Sequence, residues 1–136
     1  MTTQTQLDLA ATLLKHERVG ASDDRAAASR VFDKIFAELI PVVGDRGVVA
    51  VFARSAVAAK THCAALQGLA ITIDSVDAVS AKIREHLATV EETEVTECAV
   101  TLCAAFVSLM SRLIGFPLTV HLLQRAWPEV DLKESP

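Results

Sequence analysis

Apolar residues recur at three- and four-residue spacing in six stretches of the chain, separated by polar or glycine-containing breaks. That period puts one apolar stripe on a helix, whereas a strand alternates every second residue. Residues 1–5 read as a frayed tail, and Leu7, Ala10, Ala11 and Leu14 mark a first helix over 6–18. GASDD at 20–24 interrupts it and offers Ser22 and Asp23 as N-caps, whose side-chain oxygens accept from free backbone amides. A second helix over 24–40 sets Val31, Ile35, Phe36 and Leu39 opposite Arg30, Lys34 and Glu38. Gly44 is expected to stop it, with Asp45 placed to cap the next.

The third helix, 46–67, is apolar almost all round until Lys60, a pattern that belongs in the middle of a bundle. Gly68 is expected to end it. A fourth helix over 75–90 carries a single stripe of Val76, Val79, Ile83, Leu87 and Val90. The fifth begins in EETEVTE, whose carboxylates suit the positive end of a helix dipole, and runs apolar from Cys98 to Ile114. Gly115 closes it, and Pro117 fits the first turn of a sixth helix over 117–127. Ile71-Thr72-Ile73 is β-like, but three residues without a partner do not make a sheet. The expectation is an all-α, single-domain bundle of five to six helices spanning 6–128, with 1–5 and 129–136 as tails.

Two segments echo each other. VVGDRGVVAVFARSA at 42–56 and LIGFPLTVHLLQRAW at 113–127 each run apolar into a Gly and carry an Arg ten residues after it. A shift of 71 residues lays Val31 on Leu102, Ile35 on Phe106, Phe36 on Val107 and Leu39 on Met110. Over 26 aligned positions eleven pairs are apolar on both sides, where composition alone gives about seven. The pattern suits either one helical hairpin used twice or two ordinary amphipathic hairpins of a helical protein, and both give the same architecture.

Composition sharpens this picture. The chain has 136 residues, enough for one core, and is 51% hydrophobic and 22% charged, which separates it from disordered chains. Aromatics make up only 4%, and abundant alanine favours helix over sheet. A net charge of −4 argues against a nucleic-acid partner, since a phosphate backbone is repelled overall. MTTQTQLDLAA has no basic start or long apolar stretch of the signal-peptide kind. The longest uncharged run, Cys98–Ser111, makes a helix of about 21 Å, short of the roughly 30 Å of a bilayer core. A cytoplasmic protein with no membrane partner is expected. Cys63, Cys98 and Cys103 then read as buried, reduced thiols.

Candidate chemistry is sparse. His16, His62, His86 and His121 include no pair at the three- or four-residue separation of a shared metal, and Cys98 and Cys103 diverge by about 140° around a helix. A Cys63 nucleophile would need a histidine such as His121 from across the bundle. Glu91, Glu92, Glu94 and Glu97 lack the Glu-x-x-His pattern of di-iron bundles and suit a helix start. Thr119–Arg125 as a DNA-reading helix would offer only Thr119, His121, Gln124 and Arg125, after an apolar Gly-Phe-Pro turn. No catalytic residue, metal or cofactor is therefore expected. Arg54 is different: set in VVAVFARSAVAA on a helix expected to be buried, it needs an acid such as Asp33, Glu38 or Asp45, a surface to reach, or a ligand.

The pattern LIG-x-x-LT-x-x-LL-x-x-AW, here Leu113 to Trp127, resembles the C-terminal motif of uncharacterised small helical proteins and domains of bacteria. VVGDRG with FARS, residues 42–47 and 52–55, is similar to a companion segment of that group. Together they cover about a quarter of the chain. The resemblance implies a bacterial regulatory or signalling role and transfers no site residue.

Two functions are compatible with these residues. The first is a non-enzymatic interaction module, a homodimer or the partner of a signalling protein, meeting its partner through Val120, Leu123 and Trp127 of the last helix. Tryptophan anchors interfaces well. The second is a small-ligand binder, with an apolar pocket between the third and fifth helices and Arg54 reading an anionic head.

Overall fold

The computed structural model describes residues 3–69, 71 and 75–132. Those residues form an all-α bundle of five helices and contain no strand. Helix α1 is Gln4–Gly20, α2 Asp24–Lys60, α3 Val76–Thr89, α4 Val95–Ile114 and α5 Phe116–Ala126. Of the β-like triplet, Thr72 and Ile73 lie outside the described residues, as do 1–2 and 133–136.

Helices α1, α2 and α3 each begin where the sequence supplies a side-chain acceptor. Thr3 and Gln6 form a reciprocal capping box, so α1 starts inside the stretch expected to fray. Its buried side is Gln6, Leu9, Ala10, Leu13, Leu14 and Glu17; Ala11, expected inside, is exposed. Asp23 caps α2 through the Ala26 amide at 2.8 Å, and Ser75 caps α3 through Ala78 at 3.1 Å. Asp45 does not cap its own segment: its carboxylate accepts from Val76 N at 3.4 Å, at the start of α3. The other end of α3 is closed by Arg25, which donates to the carbonyls of Leu87 at 2.9 Å and Val90 at 2.7 Å. A cation at carbonyls left free by a helix end is favourable by charge as well as by hydrogen bonding.

Within α2, Gly44 stands outside helical geometry at φ 81° and ψ 162° and kinks the helix into two segments. Phe32 and Phe52 are twenty residues apart, a separation of about 30 Å along a straight helix. Their ring centroids nevertheless lie 5.7 Å apart, so α2 folds back on itself at the glycine. Gly115, between α4 and α5, has φ 90° and ψ 147°, the same sparsely populated region. The two bends of the sequence echo are therefore built alike. Burial follows the same register: of twelve residues buried between 24 and 56, ten meet a buried residue 71 positions later. The second half of α2 ends at Lys60 rather than running to 67, and a short 3-10 turn at Ala64–Leu66 follows.

Helix α4 is the central element, packing on α1, α2 and α5. Together with the turn before it, Glu92–Ile114 is long and apolar enough to cross a membrane by length and composition. In the bundle α4 instead buries Cys98, Ala99, Leu102, Cys103, Phe106, Val107 and Met110 among the other helices. Phe32, Phe36, Phe52 and Phe106 form the heart of the core; Phe36 meets Phe52 and Phe106 edge-on at 5.5 and 5.8 Å. Residues 129–132, expected as tail, return to the bundle. Gln124 Nε2 donates to the carbonyls of Trp127 and Val130, and Leu132 is buried.

Candidate functional site

A cavity of about 620 Å³ among the described residues is a groove between the end of α2 and the outer face of α4, closed at one side by Leu7 of α1. Helical spacing explains it. Positions 101, 105, 108, 109 and 112 fall along one face of α4, and the facing turn of α2 supplies Ala58 and Ala59. With Ala58, Ala59, Ala105 and Ser108 on these walls, the side chains are too small to fill the space between the helices. Leu7 and Leu109 add apolar surface, while Thr61, His62, Thr101 and Arg112 bring polar groups to the edges.

Leu109 and Arg112 also line an adjoining depression of about 190 Å³, shared with Val51, Arg54 and Leu113. Arg54 and Arg112 are both exposed, and neither has an ion pair among the described residues. Among the described residues no carboxylate lines either hollow. The acids weighed as partners for Arg54 are engaged elsewhere: Asp33 lies 4.0 Å from Arg84, Glu38 3.5 Å from Arg125, and Asp45 is at α3. Arg54 is thus not a buried charge. Its helix turns that side outward, because the bend at Gly44 directs Val48, Val49, Phe52, Ala56 and Ala59 inward instead.

The expected contact face on α5 is corrected by the structure. Leu123 and Trp127 are buried in the chain's own core, and Val120 is half-buried. Trp127 Nε1 donates to Glu17 Oε2 at 2.7 Å, and Lys34 Nζ donates to the same carboxylate at 2.5 Å. Lys34 also stands 5.6 Å from the indole centroid. Glu17 is only 5% exposed. Burial alone would raise its pKa, but the hydrogen bonds from Lys34 and Trp127, with Lys34's charge, outweigh that and hold it below the ordinary value. Trp127 is an anchor, but for α1 and α2 of the same chain.

Among the described residues no three His, Cys, Asp or Glu side chains converge as metal ligands. His16 pairs with Glu129 at 3.0 Å, His86 Nε2 lies 2.8 Å from the Ala65 carbonyl, and His121 is exposed on α5. The thiols hold a feature that spacing did not reveal: Cys63 Sγ and Cys98 Sγ are 3.1 Å apart, while Cys103 is buried separately. Burial pushes the Cys103 thiol up to about 12. Burial, the neighbouring Cys63 and the charges of Glu94 and Glu97 do the same to Cys98. Arg112, which follows the uncharged run Cys98–Ser111, joins both hollows. Its signal lay in the i, i+3 spacing from Leu109 on a face otherwise lined by small residues.

Comparison with family models, with curated proteins and with solved structures finds no match.

Proposed function

We propose that the protein is a non-enzymatic, cytoplasmic binding protein that holds an anionic amphiphile in the α2–α4 groove. The observation that supports this reading is an apolar hollow of about 620 Å³ with Arg112 at its edge and no acid among the described residues that line it. Its size and composition are those of small-molecule sites, which are apolar with a few convergent polar groups. The aliphatic part of the ligand lies over Leu7, Ala58, Ala105 and Leu109. The anionic head meets Arg112, with Arg54 of the adjoining depression reinforcing the field.

Titration with dodecanoate, followed by calorimetry and native mass spectrometry, tests the assignment. Saturable one-to-one binding is expected, weakened about tenfold by Arg112→Gln, the loss of roughly one charged hydrogen bond. Ala58→Phe, which fills the groove from an exposed position, is expected to abolish binding and leave the fold intact. Absence of binding to the folded wild-type protein, or binding indifferent to both substitutions, overturns the reading.

A second reading, a homodimer in a bacterial regulatory pathway, draws on Val57 and Leu113. They are 65% and 60% exposed, and each is next in sequence to a groove residue, Ala58 and Arg112 respectively. A partner subunit covering the α2–α4 face would bury both, in place of the α5 face. Native mass spectrometry separates the two: a whole multiple of the 14.6 kDa chain with no added mass favours the dimer.

A further inference from the structure

We propose that Cys63 and Cys98 are a thiol–disulfide exchange site, forming a reversible disulfide with a low-molecular-weight disulfide as oxidant. The sulfurs already stand 3.1 Å apart, so closure to a bond of about 2.05 Å needs only about 1 Å of movement. The two residues come from different elements. Cys98 lies on the first turns of buried α4, while Cys63 follows α2 and precedes the short 3-10 turn at Ala64–Leu66. Turns rather than regular helix hold that connection, aided by His86 on the Ala65 carbonyl and Gln67 on the Lys60 carbonyl. It can yield by the small distance required.

Access sets the order of events. Cys63 is 8% exposed and flanked by the exposed Thr61, His62 and Ala64, whereas Cys98 is fully buried. The Cys63 thiolate attacks one sulfur of the small disulfide; a mixed disulfide forms at Cys63 and one small thiolate leaves. Cys98 then gives its proton to that thiolate and attacks the Cys63 sulfur, releasing the second small thiol as its proton is recovered from solvent. Two protein thiols are oxidised and one small disulfide is reduced to two thiols. The product pins the end of α2 to α4 across 35 residues of sequence that include α3. A cross-link of that span is expected to raise the melting temperature by about 10 °C. Thr61 and His62, which line the groove, immediately precede Cys63. The site does not depend on any ligand in that groove.

The test is incubation of the native, reduced protein with oxidised glutathione, followed by alkylation of free thiols and non-reducing peptide mass spectrometry. The expected product is a Cys63–Cys98 cross-link with Cys103 alkylated, a raised melting temperature, and reversal of both by dithiothreitol. Cys98→Ala is expected to trap glutathione on Cys63, with Cys98→Ser giving the same reading should the alanine variant not fold. Cys63→Ala leaves the remaining thiols unreacted. In urea, where proximity in the sequence governs pairing, the Cys63–Cys98 selectivity disappears. The proposal fails if the folded protein keeps three free thiols, pairs Cys98 with Cys103, or retains glutathione on Cys63 with Cys98 present.

Discussion

Replacing Glu17 tests the most exacting polar arrangement in the bundle. Its carboxylate is buried and accepts from Trp127 Nε1 at 2.7 Å and from Lys34. In Glu17→Ala the indole N–H stays in the core without an acceptor, a desolvation loss of about 1–3 kcal/mol. Lys34 is 43% exposed and finds water, so the lost ion pair adds only about 0–1 kcal/mol. The total is about 1–4 kcal/mol. Glu17→Gln keeps an oxygen for the indole and loses only the charge, at a cost of about 1 kcal/mol. Urea unfolding followed by the fluorescence of the single tryptophan measures both, and the alanine midpoint is expected to fall by about 0.5–2 M.

The pH dependence has a definite sign. Because the Glu17 carboxyl is held below its ordinary value of 4.5, its charge contributes stability above that value. The contribution is lost as pH falls through the depressed folded value. The stability gap between wild type and Glu17→Gln is therefore constant near neutrality and closes on acidification below pH 4.5. Equal costs for the two variants, or a gap that widens in acid, would refute the account of Trp127 as an internal anchor.

Two further substitutions probe the turns and caps. Gly44→Ala has free space around the new Cβ, so its cost is backbone strain alone, about 1–3 kcal/mol by thermal unfolding. A neutral result would mean that the bend does not need its φ of 81°. Arg25→Ala removes both donors to the Leu87 and Val90 carbonyls. It is expected to destabilise by about 1–2 kcal/mol and to speed amide hydrogen exchange at Val90, whose N–H bonds Leu87 at 3.2 Å. Unchanged exchange there would show that the last turn of α3 holds without the arginine.

Residue order alone determined the helices, because stripe spacing and capping are local. The Val76–Val90 stripe, the cap at Asp23, and the breaks in helical geometry at Gly44 and Gly115 all depend on residues within a few positions of one another. The echo between 42–56 and 113–127 was legible for the same reason, and the matching glycine bends carry it into three dimensions. Only the tertiary structure decided which faces turn inward. An apolar face on α5 reads equally as an interface or as core until α1 brings Glu17 to Trp127 across 110 residues. Arg54 reads as buried until the fold at Gly44 turns it outward beside Arg112. The Cys63–Cys98 approach and the α2–α4 groove likewise arise where separate elements meet. Helical periodicity shows that a face is apolar or small, but what it meets depends on angles set by the whole core.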